Sequence, residues 1–576
     1  MRVNSQSFSL PPQISRAVEA TVEEWIAADR VQRIWGRDPS LWTGSDEDQR
    51  LGWLDVVTTQ LERQSTFSQI SADVRQGQFT HALLLGMGGS SLCPEVLRST
   101  FECGPSHPAL RVLDSTVPAQ VRAAEDAVDL RRTLFIVSSK SGTTLESSIL
   151  FEYFFDHMAS IFPPAETGRR FLAITDPDSA LETLAHQRDL RQVFLGRPDV
   201  GGRFSALSDF GLVPAALMGL DVARLLDVTK QMVDQCGADV PVSKNPGVML
   251  GIALGQLAGA GRNKLTIAAS PAIGSLGAWL EQLVAESTGK DGRGIVPVDQ
   301  ESLGPPEVYG DDRVFVYLKL SSEGSTSEDS AIDRIEQAGQ PVVRIELDGP
   351  YAIGQEFFRW EMATAVAGSL LKVNPFDQPD VDASKVASRK MTAEFEQTGA
   401  LDESEPFFET AEISLFSDSD TVARVFQEVI PRPSLSGYLG AYLAGLNTGD
   451  YFAILAYVAM NATNLFHLQQ IRNLVRDRTC VATCLGFGPR FLHSTGQLHK
   501  GGPATGVFLQ ITCDDPIDLP VPGRSYSFGI VKAAQALGDM EVLEQRGRRV
   551  LRAHIGGDLA YGLDQLRQAV AEALER

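Results

Sequence analysis

Histidine is scarce in this chain: 8 occur among 576 residues, and none lies between His186 and His467. The long middle of the sequence therefore offers carboxylates, lysines and arginines, not imidazoles, to any chemistry that moves a proton. Cysteine is scarce too. The six residues at 93, 103, 236, 480, 484 and 513 are scattered, which excludes a disulfide framework. Cys480-x-x-x-Cys484 has no matching second pair, so a zinc site is not expected. Buried, reduced thiols in a cytosolic protein are the expectation. Basic residues are in deficit, 51 Lys and Arg against 73 Asp and Glu, a formal charge of -22. That excludes a broad nucleic-acid surface while leaving room for a local basic pocket. The longest apolar stretches, near Val248–Ala258 and Tyr451–Met460, are too short to span a bilayer. The beginning, MRVNSQSFSLPPQ, has no h-region and hence no signal peptide, so a cytoplasmic location is expected and no membrane partner.

Two short loops of similar chemistry stand out against these absences: Leu84-Leu-Gly-Met-Gly-Gly-Ser-Ser91 and Phe135-Ile-Val-Ser-Ser-Lys-Ser-Gly-Thr-Thr-Leu-Glu146. Each follows a buried-strand run, breaks into Gly, Ser and Thr, and leads into a helical pattern. A parallel sheet builds an anion site in this way, with the first N–H groups of the helix aimed at a phosphate. Neither loop has the spacing of a P-loop, and the first lacks the third glycine of a dinucleotide fingerprint. A phosphorylated small molecule is the indicated ligand. Taken alone, Ser139–Thr144 also reads as an ordinary helix cap with Glu146 in a capping box.

A chain this long forms two to four domains. Residues 1–75 are mainly helical in pattern. Strands at 81–86, 110–113, 133–138 and 171–175 alternate with helices, which predicts an α/β unit over 76–225 with a parallel sheet. A second α/β unit is expected over 226–400, with strands at 265–269, 314–320 and 340–347 and a long helix over 353–372. The acidic stretch Asp402–Glu405 marks a boundary, and 401–576 forms a third α/β unit. Within it Phe491–Pro503, which carries His493 and His499, is expected to be a loop.

The motifs along this frame resemble those of the phosphoglucose isomerase family, whose fold is two doubly wound sugar-isomerase (SIS) domains. Leu85-Gly-Met-Gly-Gly-Ser90 is similar to its G-x-G-G-S loop, and Ser139–Glu146 to its S-K-[TS]-x-T-T-x-E loop. Gly201-Gly-Arg-Phe-Ser205, Ala285-Glu-Ser-Thr-Gly-Lys290 and Asn374–Lys385 resemble three further motifs in family order. The resemblance is greatest to the isomerase half of transaldolase–isomerase fusions, without the transaldolase barrel.

The resemblance implies aldose–ketose isomerisation of a sugar phosphate, glucose 6-phosphate and fructose 6-phosphate, through a cis-enediol(ate), with no cofactor and no metal. It assigns the phosphate to the hydroxyls of Ser90, Ser139, Ser141 and Thr144 and the backbone N–H groups of Gly89 and Lys140. It makes Glu286 the base and Arg203 the partner of the enediolate, and it places Gln378 and Lys385 beside the sugar. These residue types suit the work: a partly buried carboxylate titrates near working pH, and a guanidinium stays charged. The family's ring-opening histidine has no counterpart in the middle of this chain. His499, in Gly496-Gln-Leu-His-Lys-Gly-Gly502, and His493 remain as candidates, each either a catalyst or a plain loop residue. A homodimer, as in the family, is one route by which either reaches the sugar. Two other readings stay open: an isomerase of another sugar phosphate such as mannose 6-phosphate, and a non-catalytic sugar-phosphate sensor.

Overall fold

The computed structural model describes residues 3–401, 405–427, 429 and 432–575; Asp402, Glu403 and Ser404 of the expected boundary lie outside the described residues. The first strand, β1 (Ser5–Ser9), falls in the segment read as helical. The next sheet holds β2 (His81–Gly86), β3 (Ala109–Leu113), β4 (Thr133–Ser138), β5 (Phe171–Thr175) and β6 (Gln192–Leu195), in the order β3-β2-β4-β5-β6. All its pairings are parallel. The runs Ala82–Leu85 and Leu134–Val137 are buried, as strands covered on both faces must be.

A second sheet contains β7 (Lys264–Ala269), β8 (Val296–Val298), β9 (Arg313–Leu320) and β10 (Val342–Leu347), in the order β1-β10-β9-β7-β8. Its parallel core gains an antiparallel edge from β1, Ser7 facing Arg344. The alternation in Ser-Gln-Ser-Phe-Ser is a strand signal too short to compete with the helical pattern that follows it.

The third sheet comprises β11 (Phe408–Glu409), β12 (Ile413–Phe416), β13 (Tyr451–Tyr457), β14 (Ala482–Phe487), β15 (Gly506–Cys513) and β16 (Arg549–Ile555), in the order β11-β12-β16-β15-β13-β14. It is mixed: β12 runs antiparallel to β16, and β16, β15, β13 and β14 are parallel to one another. The segment expected as a loop is partly helical, with turns at Arg490–His493 and Gly496–Gly501.

The first two units share one core. The helix Ile353–Leu371 is buried along nearly its whole length. Gly247, Gly251 and Gly255 of the helix Pro246–Gly259 face it, and a Cβ at Gly251 would lie 2.5 Å from the Ala363 carbonyl oxygen. Trp53 of the N-terminal segment packs against Phe204 and Phe358, with ring centroids 5.5 and 5.7 Å apart, which ties that segment to both units. The third unit has its own core around Ile454, Leu509 and Leu551. It also docks on both neighbours. Phe528 and Val531 join the cluster of Leu83, Phe135 and Phe154, while Phe491 and Leu498 join that of Ala285, Val296 and Val298. The site described next lies where all three units meet.

Four cysteines are buried, as expected, whereas Cys103 is exposed and Cys480 half-buried. No helix among the described residues is long and apolar enough to cross a membrane.

Candidate active site

Both glycine-rich loops leave carboxyl ends of adjacent strands. β2 ends at Gly86, and Gly88–Ser90 forms a tight turn before the helix Leu92–Thr100. Gly88 sits at φ +55°, where a Cβ would come within 2.9 Å of the His493 carbonyl oxygen. A Cβ at Gly89 would lie 2.0 Å from the Gly202 carbonyl oxygen. Glycine is required here because the first loop is pressed against both the Arg203 loop and the third unit. β4 hands over to Ser139–Thr144 and the helix Leu145–Ile161, with Gly142 at φ +68°. Ser139 Oγ donates to Thr144 Oγ1 at 3.1 Å, and Ser141 Oγ lies 3.0 Å from Thr143 Oγ1. Lys140 turns its ammonium away, to Asp176 at 2.5 Å and the Arg197 carbonyl at 2.9 Å. Burial draws the Lys140 pKa down, against the Asp176 carboxylate. What Lys140 offers an anion is backbone, not charge.

Arg203 and Glu286 come together. Both are buried, at 2% and 7% exposure, with Nη1 3.2 Å from Oε1. Arg203 Nε donates to Ser287 Oγ at 2.7 Å, Nη1 to Gln378 Oε1 at 3.0 Å, and Nη2 to the carbonyls of Pro375 and Asp377 at 2.6 and 2.8 Å. Burial lowers its pKa, against the Glu286 and Asp377 carboxylates, and a guanidinium stays charged regardless. Lys290 fastens the same Asn374–Gln378 loop: its ammonium reaches the carbonyls of Asn374 and Asp377 and the Asp377 carboxylate. Burial, and Arg203 beside it, bring the Lys290 pKa to about 7. The arginine motif, the base motif and the Gln378 motif, far apart in sequence, are thus one hydrogen-bonded body.

Gln282 was not singled out from the sequence. It lies one turn before Glu286, and an i, i+4 spacing puts both on one helix face. Its Nε2 donates to Glu286 Oε2 at 2.9 Å and to the His493 carbonyl at 2.8 Å. His493, from the third unit, reaches into the first, with Nε2 2.9 Å from Glu146 Oε1. Gln535, also of the third unit, donates to the same oxygen at 2.7 Å and is held by Thr116 Oγ1 at 2.7 Å. Burial alone would raise the Glu146 pKa; the charge and hydrogen bond of His493 outweigh it and hold the carboxyl below its ordinary range. Glu146 is therefore more than the capping residue its position suggests.

A cleft opens beside this pair, lined by Ser141, Thr143–Glu146, Val381, Ser384, Lys385, Ser388, Arg389, Leu492, His493 and Gln535. Of the residues singled out from the sequence, Ser141, Thr144, Lys385 and His493 line it. Ser139 braces its loop from below, and Glu286, Arg203 and Gln378 connect through Gln282. Gly89 lies against the arginine loop, and Ser90, on the same turn, is buried.

His499 is not part of this assembly, and its candidacy as a catalyst is corrected. It is 2% exposed, and its Nδ1 lies 3.0 Å from the Tyr451 hydroxyl. It is enclosed by the rings of Tyr451, Phe491 and Phe508. Burial, with Lys500 and Arg548 nearby, holds its pKa well below the ordinary value. It is a core residue of the third unit.

Comparison with known proteins bears on this arrangement. The family model described as phosphoglucose isomerase matches residues 55–302. A glucose-6-phosphate isomerase of Rubrobacter xylanophilus is 31% identical over 371 residues, 55% of this chain and 83% of the relative. One from Parabacteroides distasonis is 27% identical over 403 residues, 62% and 89% of the two chains. Among solved structures, a hypothetical protein of Thermus thermophilus superposes with a TM-score of 0.57 at 23% identity, covering 67% of this chain and 99% of that one. A glucose-6-phosphate isomerase of Chlamydia trachomatis gives 0.52 at 18% identity, covering 70% and 81%. The two structures share the fold described above.

Proposed function

The chain belongs to the phosphoglucose isomerase family, and from that premise we propose that it interconverts glucose 6-phosphate and fructose 6-phosphate through a cis-enediol(ate). The observation that carries the proposal is the continuous run of contacts from Arg203–Glu286 through Gln282 to His493–Glu146, beside a cleft walled by the Ser/Thr loop. A sugar phosphate needs that order of groups: anion donors at one end, acid–base groups at the other.

The phosphate is held by the hydroxyls and N–H groups of Ser139–Thr144. His493 opens the ring, accepting the O1 proton and delivering one to the ring oxygen, with Lys385 beside that oxygen. Its Nε2 is bonded to Glu146, which orients the ring and leaves Nδ1 for the sugar. Glu286 takes the proton from C2 and returns it to C1, the hydroxyl proton passes from O2 to O1 between the two steps, and the O1–C1–C2–O2 charge that develops there faces Arg203. No electron leaves the substrate and no proton is lost overall. In this reading the third unit supplies a group that a partner subunit supplies in the resemblance drawn above, and one chain completes the site.

The test is a coupled assay in both directions on glucose 6-phosphate, fructose 6-phosphate and mannose 6-phosphate. Turnover of the first pair with negligible turnover of the third is expected. Preference for mannose 6-phosphate, or tight binding with no turnover of any substrate, would overturn the proposal.

A further inference from the structure

We infer that the phosphate site has a second wall: the helix Val381–Thr398 supplies Arg389 as its cation and Ser384 as a further donor. The inference rests on the functional reading above and goes beyond its neutral Ser/Thr loop.

The loop's own cation is diverted, since the Lys140 ammonium is bonded to Asp176 and the Arg197 carbonyl. Its hydroxyls are partly committed to each other, Ser139 to Thr144 and Ser141 to Thr143. A phosphate monoester carries close to two negative charges at neutral pH, so neutral donors alone leave it under-compensated in a half-enclosed cleft. The cations lining that cleft are Lys385 and Arg389. They lie on one helix with Val381, Ser384 and Ser388, all within the i, i+3 and i, i+4 spacings of a single face. Lys385 is already placed beside the sugar ring. Arg389 is one turn further on, and its Nη2 reaches across to the Thr143 carbonyl of the phosphate loop at 3.4 Å. The guanidinium is therefore already beside the loop, with most of its donors uncommitted to Thr143.

Ser384 points independently to a ligand on this wall. The residue is 3% exposed, lines the cleft, and its Oγ makes no hydrogen bond among the described residues. Buried hydroxyls are ordinarily paired, and one left unpaired at a cleft wall is suited to a bound oxygen. A planar fork and a hydroxyl opposite a helix N-terminus make a three-sided phosphate cradle.

The experiment compares wild type, Arg389→Gln, Arg389→Lys and Ser384→Ala by steady-state kinetics with fructose 6-phosphate and by inhibition with inorganic phosphate. Losing one charge-assisted contact should raise KM and the phosphate inhibition constant of Arg389→Gln about 10- to 100-fold, with kcat within about threefold. Arg389→Lys should recover part of that loss. Ser384→Ala should raise both constants about 3- to 10-fold without lowering the unfolding midpoint. Salt should weaken phosphate binding less in Arg389→Gln than in wild type. Arg389 is exposed on its helix, so its replacement does not threaten folding. If both constants of Arg389→Gln stay within about twofold of an active wild type, the second wall is refuted and the isomerase reading stands. If wild type does not turn over, the isomerase reading fails instead, and direct titration of wild type and Arg389→Gln with inorganic phosphate still decides the wall: equal affinities refute it, a loss of about 10-fold supports it.

Discussion

Replacing Glu286 by Gln separates the base from the scaffold around it. The substitution keeps the side-chain length and one acceptor for Arg203 Nη1, now 3.2 Å from Oε1. It removes charge and basicity, and it turns the second carboxylate oxygen, which accepts from Gln282 Nε2, into an N–H donor. The two expected magnitudes differ widely. For stability, a charge-assisted contact becomes a neutral one, while Arg203 keeps four other acceptors, Ser287 Oγ, Gln378 Oε1 and the carbonyls of Pro375 and Asp377. The loss is about 1–3 kcal/mol, a few degrees or less in Tm for a chain of this size. For catalysis, a positioned base contributes about 10²- to 10⁴-fold, or about 3–5 kcal/mol of barrier. The phosphate cleft lies away from the substitution, so KM should move by about threefold or less while kcat falls about 1,000-fold. The assay is coupled conversion of fructose 6-phosphate, with deuterium incorporation at C2 of the glucose 6-phosphate formed in heavy water as an independent measure of proton transfer. A kcat within about tenfold of wild type, in a folded variant, would refute the assignment of Glu286 as base.

His493→Ala should lower kcat about 100-fold or more on cyclic glucose 6-phosphate while C2 proton exchange from open-chain substrate is largely retained; equal losses in both would remove His493 from ring opening. His499→Phe should leave kcat and KM within about twofold, because the ring fills a space among Tyr451, Phe491 and Phe508; its cost should appear in the unfolding midpoint, and a large kcat loss at unchanged stability would contradict a core role. Glu146 has a folded-state pKa below its ordinary value, so its contribution to stability is present above about pH 4.5 and is lost as pH falls through the lower folded value. Denaturation of Glu146→Gln should therefore show a shallower loss of stability than wild type as pH falls below about 4.5, and parallel curves would count against the His493 pairing.

Much of the frame could be read from residues alone, because parallel strands buried on both faces spell themselves as unbroken apolar runs, as Leu83–Leu85 and Phe135–Val137 do. The same holds for the motifs at 201–205, 285–290 and 374–385, whose residue types match what each does locally. The histidine could not be read. His499 has the more inviting setting, Lys500 beside it and glycines at 496, 501 and 502, yet burial among three aromatic rings decides its character, and burial is a tertiary property. His493 acquires its partner, Glu146, across 347 residues through docking of one unit on another. Gln282 is one glutamine in an apolar helix, and only the approach of the His493 carbonyl on one side and Glu286 on the other marks it. The strand β1 was hidden for a related reason, since its register against β10 exists only once the second unit has folded.

The short helix Gly496–Gly501 does more than follow His493. Its Gln497 accepts from the Asp380 N–H at 2.8 Å and donates to the Asp380 carboxylate at 2.8 Å and the Gly289 carbonyl at 3.0 Å. One side chain thus spans the loop after Glu286 and the start of the helix bearing Lys385. A group delivered through such an intrachain clasp has an effective concentration set by geometry rather than by how much protein is in solution. Specific activity should accordingly be flat on dilution to nanomolar levels, where a site shared between subunits would come apart, and the supply of imidazole to the sugar becomes a first-order property of a single folded chain.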